Sequence, residues 1–366
     1  MENESIKVLH VINSLATGGA EKLILDSLPI YKEKGLQVDL FLLNGRETPF
    51  LNKLKEENIK VIRSKYKSFY NPLHILELTS LIHRYDLIHV HLFPALYWVG
   101  LSKLLVQAKV KLIYTEHNTS NRRRGNLILN MTDKLIYKIY HKLITISPEV
   151  DKNLRDYLNF SNLKFQLIPN GVNLEEIRRA EPVAKTLFLN KDDICILQVS
   201  SFRPQKDQET LIKSLLYLPE NFKILLVGDG PLRGKVEENV KKRKLEKRVI
   251  FLGIRSDIPQ LLKMADIVVL SSYYEGLSLS SIEGMASGKP FLASDVPGLH
   301  NIVKDAGILF PLGDSKTLSS EVLKLVQDKF YYQTISERVV ERAGNYDVKV
   351  MVDKYFQVYE ELVDVN

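Results

Sequence analysis

The chain has 366 residues, 45% apolar and 26% charged, a globular composition that excludes a disordered tail or a fibre; the length suits two α/β domains that each bury a core. Its one cysteine, Cys195, lies in an apolar run and excludes an internal disulfide or thiolate metal cluster, which fits a reducing cytoplasm. The net charge of +7 is all N-terminal: residues 1–180 carry 26 basic side chains against 18 acidic, or +8, leaving −1 for the rest, so an anionic partner is expected on the first half.

The opening MENESIKVLHVIN enters a strand-like run directly, without the basic and long apolar regions of a signal peptide. The apolar stretch 92–106 is broken by Lys103 and is shorter than the roughly 20 residues a spanning helix needs. A cytoplasmic chain is expected. Short β-branched or aliphatic runs then alternate with amphipathic stretches, the pattern of parallel sheets built from βαβ units. Strands are expected at 7–12, 38–43, 60–63, 87–90, 111–115, 143–146 and 166–168, and after an irregular charged connection at 194–199, 223–227, 249–252, 267–270, 290–293 and 308–310. The reading is α/β: a Rossmann-like domain over 1–172, a second over 173–345, and a last helix, 346–366, packing back on the first. Ligands of such sheets bind outside the carboxyl ends of the strands, which directs attention to the residues just after each one.

After the first strand, Gly18 and Gly19 let the backbone approach a ligand at a helix start, although an ordinary turn reads the same way and GxGxxG is absent. DLIHVHLFP puts His89 and His91 on one strand face, and KLIYTEHNTS puts Glu116 and His117 at the end of the next strand. Packed or capping histidines are the alternative, and zinc is disfavoured because no third and fourth ligands stand out. Residues 60–142 hold 14 basic side chains against four acidic ones, including Arg122, Arg123 and Arg124. In the second half, SSFRPQKDQETLI delivers Arg203 and Lys206 to a strand end, where a guanidinium fork and an ammonium suit a diphosphate leaving group. LVGDGPLR places Gly228, Asp229 and Gly230 in a tight turn.

SSYYEGLSLSSIEGMASGKP sets Glu275 and Glu283 seven residues apart across a helix start, with Gly276 at the bend. One carboxylate can accept from the hydroxyls of a ribose and the other from a sugar ring, while the N–H groups of Leu277, Ser278, Leu279, Ser280 and Ser281 face a diphosphate. Two solvated surface glutamates remain the alternative.

Taken together, GGAE, EHN, IPNGV, FRPQKD, VGDGP and the E-x7-E element resemble the retaining GT-B glycosyltransferases of family 4, a group that includes many bacterial capsule, O-antigen and glycolipid transferases. The resemblance covers nearly the whole chain. It implies two Rossmann-like domains facing across a cleft, Glu283 on the nucleotide ribose, Glu275 on the donor sugar, Arg203 with Lys206 on the diphosphate, and His117 near the reacting carbon. It also implies Gly18 and Gly19 beside the diphosphate, Gly228 in the donor site, Asn170 and Gly171 at the junction, and His91, Glu116, Asn118 and Arg122–Arg124 on the acceptor side. Ser201 and Asp207 stand where many members have glycine, a departure that touches donor choice.

The activity that the resemblance implies is that of a retaining, metal-independent transferase with no cofactor: no D-x-D segment is present, and Arg203 with Lys206 neutralises the leaving group. A UDP-sugar is the preferred donor and GDP-mannose the second. The acceptor is expected to be a lipid-linked glycan in surface polysaccharide synthesis. The basic N-terminal patch, with Lys103, Lys109, Lys134, Lys138 and Lys142, would touch anionic lipid beside Leu92, Phe93, Leu96, Tyr97 and Trp98; a buried helix with a solvated basic rim reads equally well. The rivals are a GT-B sugar-nucleotide epimerase and a nucleic-acid binder, the latter suggested by a pI near 9.1 but lacking any base-stacking motif.

Overall fold

The computed structural model describes residues 5–16, 18–118 and 127–363. The thirteen expected strands all form, with ends shifted by no more than one residue: β1 Lys7–Ile12, β2 Gln37–Leu42, β3 Lys60–Arg63, β4 Leu87–His91, β5 Lys111–Glu116, β6 Lys142–Thr145, β7 Phe165–Leu167, β8 Ile194–Val199, β9 Phe222–Val227, β10 Val249–Gly253, β11 Ile267–Leu270, β12 Phe291–Ser294 and β13 Ile308–Phe310. They make two parallel sheets, ordered β3-β2-β1-β4-β5-β6-β7 and β10-β9-β8-β11-β12-β13. Strand order reverses between β1 and β4 in one sheet and between β8 and β11 in the other, and those switch points are where a doubly wound sheet opens a crevice.

The chain divides into two compact units, 1–171 with 348–366, and 172–347. The first is therefore discontinuous. Along β1, Val8, His10 and Ile12 alternate with Leu9 and Val11, so the strand feeds two separate apolar layers, one on each face of the sheet. The layer on the Val8 face is completed by helix Val348–Val363, which buries Val348, Met351, Val352, Tyr355, Val358 and Tyr359, each contributing roughly 1.5–3 kcal/mol. The opposite layer packs Leu96, Val99, Tyr137 and Tyr140 beneath Leu9, Ile88 and Tyr114. In the second unit, β8 is buried almost throughout, and Cys195 lies on it fully enclosed, its thiol pushed up to about 12 by burial.

None of the described helices is long and apolar enough to cross a membrane. The apolar side chains expected to insert into lipid are otherwise engaged. Leu96 is fully buried, the Trp98 indole donates to the Phe69 carbonyl at 2.7 Å, the Tyr97 hydroxyl bonds Asp133, and Leu92 and Phe93 are half-buried. Lys103 likewise donates to the Val110 carbonyl at 2.8 Å, and burial beside Lys111 brings its ammonium down to about 8. On these two helices the exposed large apolar residues are instead Leu104 and Leu105, at the end of helix Ala95–Val106, and Met131 and Leu135, on helix Leu127–Ile139. Arg122, Arg123 and Arg124 lie outside the described residues.

Candidate active site

In the second unit the loops leaving β8 and β11, neighbours at the switch point, are stitched together. Asp207 N–H donates to the Ser271 carbonyl at 3.1 Å and Tyr273 N–H to the Gln205 carbonyl at 2.9 Å. This stitching brings Lys206 onto Glu275: the ammonium bonds Glu275 Oε1, which also accepts from the Ser272 hydroxyl at 2.6 Å. The two charged side chains are only 11% and 10% exposed, so each is the other's main compensation. Arg203, on the same loop, is exposed. Asp207, where a glycine was the commoner expectation, caps helix Gln208–Ser214 by accepting from Thr210 N–H at 3.2 Å and Thr210 Oγ1 at 2.5 Å.

Two glycine contacts set these loops. Gly228, at φ +131°, leaves no room for a Cβ, which would lie 2.2 Å from the Ser200 carbonyl oxygen, so the turn after β9 presses directly on the backbone leading to Arg203. Gly298, at φ +86°, would put a Cβ 2.1 Å from the Glu275 oxygen and 2.5 Å from that of Gly276. The 297–298 turn thus props the Glu275 loop, and Glu275 N–H donates to the Pro297 carbonyl at 3.3 Å. Past the bend at Gly276 and half-buried Leu277, helix Leu279–Ala286 begins one residue earlier than expected, with Ser278 at its N-cap. Its first N–H groups, those of Leu279 and Ser280, have no carbonyl a turn behind them in the helix to bond, and half-buried Glu283 falls in the second turn.

In the first unit, Gly18 caps helix Gly19–Glu33 without a side-chain bond, and both glycines are exposed; Gly19 is the first helical residue rather than part of the loop. At the switch point β1 and β4 bring three buried rings together. His10 Nδ1 lies 3.3 Å from His91 Nε2, and His91 Nδ1 lies 3.2 Å from Nε2 of His117, which follows β5. His89 is held by the Tyr359 hydroxyl at 2.6 Å and Thr115 Oγ1 at 2.7 Å. His10, His89 and His91 each offer a nitrogen within 4.8 Å of the others, the spacing of a metal cluster, yet both nitrogens of His89 and of His91 are already committed to these hydrogen bonds. Leu92 follows at φ 68°, a left-handed conformation costing a leucine roughly 1–2 kcal/mol, and it turns the chain as it leaves His91.

His91 and Glu116, expected on the acceptor side, are each only 2% exposed; Glu116 accepts from the Tyr137 hydroxyl at 2.9 Å and from Asn118 N–H at 3.2 Å, while Asn118 itself is exposed. Buried Asn170 leaves its Oδ1 without a hydrogen bond among the described residues, and Gly171 N–H points at Met351 Sδ, 3.3 Å away. His10 and Gly298 were not expected from sequence.

Burial holds these histidines neutral, bringing His10 down to about 3, His117 to about 4, and His89 and His91 well below the usual value of 6.5. Between pH 6.5 and those values the unfolded chain binds protons that the folded unit refuses. Their contribution to stability is therefore complete above about pH 6.5 and is lost as the pH falls. His10 alone should remove about 2 kcal/mol between pH 7 and pH 5. Trp98, the chain's one tryptophan, lies in this unit, whereas the second unit holds His300 as its single histidine. Urea midpoints followed by Trp98 fluorescence should drop markedly across that interval, and the drop should shrink in His10→Phe; a midpoint independent of pH would contradict a neutral buried cluster.

Compared with known proteins, residues 17–176 match the model of Glycosyltransferase Family 4 and residues 181–343 that of Glycosyl transferases group 1. An uncharacterized glycosyltransferase of Methanocaldococcus jannaschii is 30% identical over 293 residues, 76% of each chain. The UDP-Gal:alpha-D-GlcNAc-diphosphoundecaprenol alpha-1,3-galactosyltransferase of Escherichia coli is 24% identical over 389 residues, covering 99% of this chain and 98% of that one. Among solved structures, HepE of Anabaena in complex with UDP-glucose superposes with a TM-score of 0.80 at 22% identity, over 97% of this chain and all of that one; at this identity the likeness is one of fold.

Proposed function

Because this chain belongs to glycosyltransferase family 4, with the two Rossmann-like domains of the GT-B fold, and is a transferase, we propose that it moves a sugar from a UDP-sugar onto a lipid-linked glycan with retention of anomeric configuration. The observation that carries the reading is the enclosed Lys206–Glu275 pair at the β8/β11 switch point, with the start of helix Leu279–Ala286 and Glu283 following it. Lys206 and Arg203 take the diphosphate, the N–H groups from Leu277 to Ser281 add their dipoles, Glu275 accepts from the sugar hydroxyls, Glu283 holds the ribose, and His117 serves a sugar hydroxyl.

As the bond between C1 and the diphosphate oxygen breaks, positive charge grows on the ring and negative charge on the leaving phosphate, which the two cations stabilise without a divalent ion. The acceptor oxygen bonds C1 on the same face, and its proton passes to the departing phosphate. No covalent role is assigned to Glu275: Lys206 and Ser272 both bond its Oε1, and Oε2 is the oxygen that accepts from the sugar.

The UDP-sugar and the lipid-linked acceptor are supported by the name of the Escherichia coli relative, and the donor also by the ligand of HepE. Contact with an anionic membrane at the inner face of the cell membrane is supported by Met131 and Leu135, exposed on the helix that carries Lys134 and Lys138.

A thermal-shift panel of UDP, GDP, ADP and their sugars, in EDTA, with and without anionic vesicles carrying a polyprenyl diphosphate glycan, tests this. A nucleotide at about 100-fold over its Kd adds about 2.7 kcal/mol, several degrees. The uridine series should stabilise the wild type and lose its effect in Glu283→Ala. Stabilisation by the guanosine series alone would replace UDP with GDP-mannose as the donor, and a sugar nucleotide altered in the absence of acceptor would replace transfer with epimerisation. No response at millimolar ligand, with vesicles or without, would sink the donor site, and a response unaffected by sedimenting the vesicles would remove the membrane contact.

A further inference from the structure

A neutral imidazole carries one proton, and a hydrogen bond between two imidazole nitrogens needs one proton between them. His10, His91 and His117 make two such bonds in series. Two of their three protons are therefore committed, and the third must sit at one of the two ends of the chain, on His10 Nε2 or on His117 Nδ1. The first choice places an N–H on a buried atom that has no hydrogen-bond partner among the described residues. Orphaned buried N–H groups are rare and costly, more so than an unmatched acceptor. The second choice leaves only a lone pair at His10 Nε2 and puts the N–H on half-buried His117, whose Nδ1 makes no hydrogen bond with the described residues.

His89, stacked 4.1 Å from His91 between ring centroids, does not alter the count, because its two nitrogens are taken by Tyr359 and Thr115. Burial keeps all four rings neutral, so no fourth proton enters the series near pH 7.

We infer that His10 and His91 are positioning residues that fix His117 as the tautomer protonated on Nδ1, so that it meets a ligand oxygen as a hydrogen-bond donor and not as a base. The inference rests on the proposed function only for what that ligand is, a hydroxyl of the donor sugar. A donor in this place binds substrate and transition state alike, which affects KM more than kcat.

Two-bond proton–nitrogen spectra of the full chain labelled on histidine nitrogen, at pH 7 and without ligand, read the tautomer directly. His10, His91 and His117 should each carry the proton on Nδ1. In His91→Phe nothing donates to His117 Nε2, so the ring is no longer held in one tautomer: the spectrum should show an Nε2-protonated form beside the Nδ1 form, and the KM for the sugar nucleotide should rise severalfold with kcat little changed. In His91→Asn the amide nitrogen stands where the ring Nδ1 stood, and it should return both the spectrum and KM to wild-type values. A proton on Nε2 of wild-type His117, or one held wholly on Nδ1 in His91→Phe, overturns the inference. Spectra that match the expected pattern while saturating UDP-sugar leaves the His117 resonances unmoved uphold the tautomer chain and refute instead the assignment of His117 to the donor.

Discussion

Lys206→Met should lower kcat/KM for sugar transfer by about two to three orders of magnitude, the usual cost of removing one preorganised charge from a developing anion. Methionine keeps much of the length and apolar stem of lysine, so the change is chiefly one of charge. It also strips Glu275 of its ion partner in a nearly enclosed site, with the Ser272 hydroxyl still donating to it, and a carboxylate left that way costs about 3–5 kcal/mol of stability. The two effects separate in Lys206→Met combined with Glu275→Gln, which relieves the stranded charge. Melting temperature should recover in the double variant while turnover stays low; recovery of turnover as well would mean that Lys206 serves the fold and not the leaving group.

The second large effect is expected at a residue with no functional group. In Gly298→Ala the added methyl would meet the Glu275 and Gly276 carbonyl oxygens at 2.1 and 2.5 Å, and alanine at φ +86° is strained besides. Backbone must move, and the nearest backbone carries Glu275. With Glu275 in its proposed role, a displacement of order 1 Å there costs about a hundredfold, and kcat/KM should fall by that much. Gly313→Ala is the control: its φ of +77° imposes similar strain, but beyond its chain neighbours no atom of the described residues lies within 4 Å of the new methyl, so it should lose about 1 kcal/mol of stability and no turnover. Equal kinetic losses in the two variants would show that Gly298 acts through general stability and not through the Glu275 loop.

The strands were legible because each is a short apolar run between polar stretches, and the two parallel sheets follow from that alternation alone. The charged candidate residues stood out where they follow a strand closely, as Arg203, Lys206 and Glu275 do. Their pairing was not, because Lys206 and Glu275 are 69 residues apart and meet only through the β8–β11 adjacency. His10 escaped notice because its flanks, KVL and VIN, read as plain strand; its meaning depends on β1 lying next to β4. Gly298 stands in a segment, VPG, that reads as any turn. The apolar run 92–106 misled in the other direction, since hydrophobicity alone does not tell Leu96, facing the core, from Leu105, facing solvent.

Helix Val348–Val363 supplies the Tyr359 hydroxyl to His89 and the Tyr355 hydroxyl to Thr115, 3.0 Å away, so the first unit is closed by the part of the described chain made last. A growing polypeptide usually completes its domains in the order in which they leave the ribosome. Here that order is inverted: the contiguous second unit can finish folding while the first, though synthesised earlier, still displays an uncovered apolar face around Val8, Ile12 and Leu40. During synthesis that face is a surface for chaperones to guard, and a nascent chain halted just before Val348 would carry one complete unit and one open one.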